Sequence, residues 1–96
     1  MARLICLNSV SRWEHEQISK YPEVGMFIEK LKNIIMKKPE KGLLDPILLN
    51  GEKLPCRKLS VNITLFSRRY AIGYSSLTAS YLYNGNDVII AKIIYS

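Results

Sequence analysis

Two pairs of basic residues mark the part of this sequence best suited to chemistry. Arg57-Lys58 and Arg68-Arg69 lie within residues 56–74, CRKLSVNITLFSRRYAIGY. The longer segment 53–86 contains no Asp or Glu, so no acidic neighbour in the sequence neutralises these cations. Guanidinium and ammonium groups bind phosphate oxygens through charge-assisted hydrogen bonds. The stretch therefore predicts a surface that meets phosphate.

Alternation along the same stretch predicts that a β-sheet positions these cations. Apolar residues at 59, 61, 63 and 65 alternate with polar residues that begin at Lys58 and include Asn62, the pattern of a half-buried strand. Residues 70–74 predict a second strand that turns Tyr70 and Tyr74 to the core and Arg69 to the other face.

A phosphate-binding groove follows if these two strands pair with their polar sides together. Lys58 and Arg69 would then hold a phosphate between them, while Arg57 and Arg68 would lie near the ends of the sheet. The alternative is that all four cations are strand-end charges, which keep sheet edges from aggregating.

Few other residues offer catalytic chemistry. Tyr95, close to the end of the sequence, is expected to be accessible and could donate a proton. His15, Cys6 and Cys56 lack partners at ligand or nucleophile–base spacing, so the sequence predicts no metal site and no cofactor. Lys37 and Lys38 could form a phosphate-binding flank, or belong to a solvated helix face.

Composition limits the kinds of protein that this chain can be. The 96 residues are expected to form a single domain over 1–96. A formal net charge of +6 favours polyanion partners such as RNA or DNA. The unpaired cysteines favour a reducing, cytoplasmic location, and no apolar run reaches the roughly 18 residues of a membrane span.

The order of elements predicts an α+β fold. A strand over residues 3–7 precedes a short helix to about residue 20, and an amphipathic helix follows over 21–38. Residues 43–55 read as a loop, and the Asn-Gly turn at 84–85 joins two closing strands. The expected architecture is a strand and a helical pair packed on one face of a mainly antiparallel sheet of about four to five strands.

This order of elements and a few motifs resemble the RelE/ParE superfamily of bacterial toxin–antitoxin toxins. The helix exit KPEKG at residues 38–42 is similar to the proline–glycine exit of that family's second helix. Leu49-Asn50-Gly51 followed by Arg57 is similar to its Leu-x-Gly segment before a basic strand. The closing hairpin at residues 80–93, SYLYNGNDVIIAKI, looks like its final strand pair.

The resemblance implies a small basic toxin held inactive by an antitoxin protein. RelE-like members cleave mRNA on the ribosome, as endoribonucleases, whereas ParE-like members act on DNA gyrase. In the first case a ribose 2′-OH attacks the adjacent phosphate, which requires a base for the hydroxyl, cations for the phosphorane charge and an acid for the leaving oxygen. The resemblance implies Lys58 and Arg69 as catalytic cations and Tyr95 as the acid, with Arg57, Arg68, Lys37 and Lys38 contacting RNA.

One departure from the family pattern leaves the activity open. The family carries Arg after a tyrosine in the strand before the last, and residues 70–74 and 79–83 have none there. Either the basic pairs substitute for it or cleavage is lost. The alternatives to a ribosome-dependent mRNA endonuclease are therefore a gyrase-directed protein-binding toxin and a basic RNA- or DNA-binding module without catalysis.

Overall fold

The computed structural model describes residues 3–96 as seven strands and three α-helices. In chain order these are β1 Leu4–Cys6, α1 Asn8–Lys20, α2 Val24–Lys37, β2 Leu43–Leu44, β3 Ile47–Leu49, β4 Glu52–Leu54, β5 Arg57–Asn62, α3 Thr64–Tyr70, β6 Ser76–Tyr83 and β7 Val88–Tyr95. A 3₁₀ turn at Pro39–Lys41 joins α2 to β2.

Five strands form one sheet in the order β1-β7-β6-β5-β2. Neighbours are antiparallel except for β1, which runs parallel to β7 and pairs Leu4 with Val88. A register shift after Ser80 gives β7 one extra residue opposite β6, which is a β-bulge. The closing hairpin turns at Asn84-Gly85, as the sequence predicts, and Gly85 has φ of 89°.

Helices α1 and α2 cover one face of this sheet. The apolar stripe of α2 is buried at every turn, because these positions recur at helical spacing. It consists of Val24, Ile28, Leu31 and Ile35. These side chains pack against the inward residues of the three central strands, among them Val61, Tyr81 and Ile90. The predicted α+β class, with a strand and a helical pair on one face of a mainly antiparallel sheet, is confirmed.

The prediction of a second strand in the basic stretch, at residues 70–74, is wrong. Residues 64–70 form the helix α3, and 71–75 form a turn. The Asn62 side chain accepts hydrogen bonds from the Thr64 N–H at 2.8 Å and hydroxyl at 2.6 Å, which satisfies one free N–H group of the first turn. Phe66 is buried against Tyr21 and Phe27, so an aromatic cluster holds the helix to the α2 side of the sheet. Tertiary packing here overrides the local alternation.

The predicted loop at 43–55 contains regular structure. After the edge strand β2, strands β3 and β4 form a hairpin through Asn50-Gly51, whose φ values of 52° and 80° are those of a type I′ turn. Leu49 lines a cleft of about 260 Å³ together with Lys92 and Ile94 of β7. The hairpin therefore reaches across the sheet to β7.

Two predicted core positions are more exposed than expected. The first strand, expected to be buried, lies at the sheet edge, and its central Ile5 is 38% exposed. Tyr74, expected in the core, is 49% exposed. Over residues 3–96, no helix has both the length and the apolar character needed to cross a membrane.

Candidate nucleic-acid interface

The face of the sheet opposite α2 carries an array of polar side chains, here called the polar face. Strand register places these residues on one side, because residues directly opposite across antiparallel strands share a face. They are Lys58, Ser60 and Asn62 of β5, Ser76, Thr78 and Ser80 of β6, and Lys92 of β7. The prediction that Lys58 and Asn62 share a face opposite Val61 is confirmed.

A chain of hydroxyl groups crosses the polar face. The Ser60 and Thr78 hydroxyls are 2.7 Å apart, and Thr78 Oγ1 lies 2.6 Å from Ser96 Oγ. Hydroxyls both donate and accept hydrogen bonds, so this chain can offer either to a ligand. Ser60 and Ser96 are exposed at its two ends, whereas Thr78 between them is buried.

Two lysines flank Ser80 on the same face. Lys58 lies opposite Ser80 in β5, and Lys92 lies opposite Ser80 in β7. Strand spacing puts the two lysine Cα atoms roughly 10 Å apart. The Lys58 ammonium group is 2.7 Å from the carboxylate of Asp45, in a partly exposed ion pair. Lys92 is exposed and forms no ion pair with any described residue.

The β3–β4 hairpin limits access to the middle of the polar face. Ile47, Leu49 and Leu54 are partly buried, whereas Leu48 and Lys53 between them are exposed. One side of the hairpin is thus turned inward, and Ser80 is only 5% exposed. The accessible part of the polar face is its end near Ser60, Asn62 and Ser96, with Lys92 at the rim.

The predicted groove between Lys58 and Arg69 does not form, which corrects the sequence interpretation. Arg68 and Arg69 lie in the last turn of α3, outside the sheet. The Arg69 guanidinium pairs with Glu23 at 2.5 Å, just before α2. Arg68 is exposed. These two cations are therefore on the side of the helices and do not join Lys58.

Arg57 has a structural position on the core side of β5. Its guanidinium donates to the carbonyl oxygen of Gly42 at 2.9 Å, and its strand partner is the fully buried Tyr81. The close fit explains Gly42, because a Cβ there would lie 3.0 Å from the Lys58 carbonyl oxygen and would collide with the Tyr81 hydroxyl. Arg57 thus fastens β5 to the turn after α2.

Lys37 and Lys38 lie at the C-terminal end of α2, where cations favour the helix dipole. Both are exposed and, with Ile34 and Lys41, line a shallow cleft of about 190 Å³. Because α2 covers the opposite face of the sheet, this basic cluster is separate from the polar face.

Tyr95 turns its ring toward the helices. Its hydroxyl donates to Gln17 Oε1 of α1 at 2.9 Å, and its ring centroid lies 5.4 Å from that of Trp13. Burial, with a smaller effect of Tyr21, raises the pKa of Tyr95 to about 12. The phenol therefore keeps its proton at neutral pH, but its hydroxyl is bonded to α1 on the side of the sheet away from Lys58.

The structure adds residues that sequence reasoning missed. Lys92 was visible as the one charge in the apolar run 88–94, which is the signal that could have identified it. The alignment of Ser60, Thr78 and Ser96 depends on strand register, which the sequence does not reveal. Among residues 3–96, no three His, Cys, Asp or Glu side chains cluster as metal ligands do.

Comparisons with protein-family models, with curated proteins and with solved structures found no match to this chain.

Proposed function

We propose that this protein binds single-stranded RNA through the polar face of its sheet. The observation that carries the proposal is the pair Lys58 and Lys92, one on each side of the buried Ser80, beside a hydroxyl chain that is exposed at its ends Ser60 and Ser96. Lysine ammonium groups attract phosphates, and hydroxyls can bond sugar and phosphate oxygens.

The same hydroxyl chain favours RNA over DNA. The ribose 2′-OH is both a donor and an acceptor, and it is the group by which proteins distinguish the two polymers. Ser60 and Ser96 expose groups of the same dual character at the two ends of the chain. The net charge of +6 adds a general attraction for the phosphate backbone.

A second candidate function is that of a RelE/ParE-type toxin that cleaves mRNA on the ribosome. The fold supports it, because a strand, a helical pair and an antiparallel sheet are the layout that the resemblance implies. Lys58 and Lys92 would stabilise the negative charge on the phosphorane oxygens during attack by the 2′-OH, whose proton would pass to water while the leaving 5′ oxygen takes a proton from water. Tyr95 is bonded to Gln17, so this proposal assigns it no proton transfer.

The toxin proposal also implies a partner protein and a cellular location. An acidic antitoxin protein would complement the positive charge of the chain, and the two free cysteines fit a reducing cytoplasm. A ParE-like action on gyrase would need neither lysine of the polar face for RNA contact, so the two toxin types separate in the experiment below.

RNA binding is tested with Lys58→Ala and Lys92→Ala against Lys53→Ala as control. Each of the three variants loses one positive charge. Lys53 is exposed on the outer side of the hairpin, so its replacement controls for the change in charge alone. With purified protein and a labelled single-stranded RNA, each polar-face variant should weaken binding and reduce the slope of log affinity against log salt by about 1. Equal effects from Lys53→Ala would reject the polar face.

The toxin function is tested by expressing the same variants and following growth and mRNA integrity. Cleavage predicts growth arrest with broken mRNA, both relieved by Lys58→Ala or Lys92→Ala. Arrest with intact mRNA and blocked replication would reject cleavage in favour of the gyrase-directed type. RNA binding without growth arrest would leave the protein as a binding module and reject both toxin types.

A further inference from the structure

Tyr74 presents an aromatic ring at the surface on top of other aromatic rings. Its side chain is 49% exposed, and it stacks nearly parallel to Tyr95, with ring centroids 5.8 Å apart and planes at 11°. Tyr95 in turn contacts Trp13. Tyr74 is therefore the outer ring of a stacked tyrosine pair that rests on Trp13.

The turn that carries Tyr74 is tied to α3 by hydrogen bonds to Ser67. The Tyr74 N–H donates to Ser67 Oγ at 3.1 Å, and Ser67 is buried. The Ile72 N–H donates to the Ser67 carbonyl oxygen, also at 3.1 Å. Gly73 has φ of 74°, a left-handed conformation that glycine adopts without strain. A ring fixed in this way loses little conformational entropy when a ligand stacks on it.

The stack and the polar face meet at Ser96. The Ser75 N–H, directly after Tyr74, donates to the Ser96 carbonyl oxygen at 3.1 Å. The Ser96 hydroxyl is the last member of the hydroxyl chain through Thr78. Because Tyr74 stacks on Tyr95 on the helix side, a strand that contacts these hydroxyls reaches Tyr74 with its next base by passing around the end of the sheet at Ser96.

We propose that Tyr74 is a stacking platform for one nucleobase of the RNA strand bound on the polar face. This inference rests on the proposed RNA-binding function and names a base-contacting residue for it. Every nucleobase offers a flat π-face, so an exposed and immobile tyrosine binds bases with little regard to sequence.

Charge and polarity around the platform favour nucleic acid over an apolar protein segment. Tyr74 follows α3, whose last turn carries the exposed Arg68 and Arg69, and residues 53–86 contain no Asp or Glu. Its neighbours Ser75, Ser76 and Ser96 are at least partly exposed hydroxyl residues. A polyanion that also carries aromatic rings matches both properties.

The test compares Tyr74→Leu and Tyr74→Phe in the full chain, using fluorescence anisotropy with two probes. One probe is a labelled oligouridine, and the other is the same ribose-phosphate strand without bases. Tyr74→Leu should weaken oligouridine binding about tenfold and leave the abasic strand unaffected, while Tyr74→Phe should keep the wild-type affinity. Leu65→Ala, at an exposed position of α3, is the surface control.

The outcomes separate this inference from the function on which it rests. Unchanged oligouridine binding by Tyr74→Leu, with weaker binding by Lys92→Ala, would reject the platform and keep RNA binding. Equal loss on both probes would mean that Tyr74 shapes the surface without stacking, which also rejects the platform. Absence of oligouridine binding by the wild type would reject both proposals. A thermal melt of each variant verifies that it is folded.

Discussion

The Tyr81 hydroxyl donates a hydrogen bond of 2.5 Å to the carbonyl oxygen of Pro39. This bond joins the central strand β6 to the turn that ends α2, and both groups are buried. It explains how a tyrosine can be fully enclosed in the core, since a buried hydroxyl needs a partner. Burial also raises the pKa of Tyr81, against smaller opposing effects from Gly42 and Arg57.

Replacing Tyr81 with Phe should therefore destabilise the fold. The Pro39 carbonyl oxygen would lose its donor inside the protein, which costs about 1–3 kcal/mol. Urea unfolding of Tyr81→Phe measures the loss. Tyr83→Phe is the control, because Tyr83 is only partly buried and donates no side-chain hydrogen bond to a described residue. Equal stability of both variants would contradict the role given to the Tyr81 hydroxyl.

Removing only one of the two charges in the ion pair between Glu14 and Lys32 should destabilise the fold. It joins α1 to α2 at 2.5 Å, with the two side chains 11% and 19% exposed. Burial alone would lower the pKa of Lys32, but the hydrogen bond and charge of Glu14 outweigh it and raise that pKa. Glu14→Gln leaves a mostly buried ammonium unpaired and should cost about 3 kcal/mol.

A double replacement of this ion pair should recover most of that loss. In Glu14→Met with Lys32→Met, two apolar side chains replace two charges, which is often neutral or stabilising. Lys30→Met, at an exposed position of α2, is the control for the change in charge. Guanidinium unfolding of the wild type, Glu14→Met, Lys32→Met and the double variant forms a thermodynamic cycle, and additive effects of the two single changes would exclude coupling between Glu14 and Lys32.

Tyr95 should make stability fall at alkaline pH. Its pKa of about 12 in the folded chain exceeds the value of about 10 expected after unfolding. Below about pH 10 the phenol is protonated in both states, so its contribution is complete. Between about 10 and 12 only the unfolded chain ionises, so the free energy of unfolding decreases as pH rises.

Urea unfolding at several alkaline pH values tests this dependence. The stability of Tyr95→Phe should fall less steeply than that of the wild type, although the variant also loses the bond to Gln17 at every pH. Absorbance of the tyrosinate should show one fewer late-titrating group in the variant. If the free energy of unfolding fell equally with pH in the two proteins, the phenol of Tyr95 would be hydrated in the folded chain as it is after unfolding.

Asp45 should restrain RNA binding, because its carboxylate occupies the Lys58 ammonium group. Asp45→Asn frees that cation and should tighten RNA binding about two- to fivefold at low salt. Glu52→Gln removes the same charge from an exposed position of β4 and is the matched control. If both variants tightened RNA binding equally, the effect would come from net charge and not from the pair between Asp45 and Lys58.

Arg69 should be dispensable for RNA binding, in contrast to what the sequence alone predicts. Its partner is Glu23 on the helix side, in an exposed pair whose loss costs about 1 kcal/mol or less. Arg69→Ala should thus keep RNA affinity within about twofold, whereas Lys58→Ala should not. A loss of RNA affinity as large as that of Lys58→Ala would support the predicted phosphate-binding groove between Lys58 and Arg69.

The sequence predicted the fold better than the site, for a physical reason that Arg69 illustrates. The α2 helix and the closing hairpin are set by local signals, the apolar stripe and Asn84-Gly85, and both appear as expected. Alternation at residues 70–74 predicts a strand, yet the burial of Phe66 against Phe27 selects the helix Thr64–Tyr70 with a turn after it. Side-chain packing between distant segments made that choice, and it removed Arg69 from the sheet.

Strand register decided the rest of the site. Alternation alone placed Lys58 and Asn62 together, but the pairings of Lys58 with Ser80 and of Ser80 with Lys92 join residues 22 and 12 positions apart in the chain. A shift of one residue would turn each of these side chains to the opposite face. The polar face is therefore a property of the assembled sheet.

The parallel pairing of β1 with β7 constrains the order of folding during synthesis. Leu4 and Val88 are neighbours in the sheet although 84 positions separate them, and the buried Ile90 and Ile93 belong to the same late strand. A nascent chain cannot complete this sheet until β7 has left the ribosome, and such distant pairings form slowly. We therefore expect the polar face to be absent from the growing chain and to appear only after nearly all of these residues have been translated.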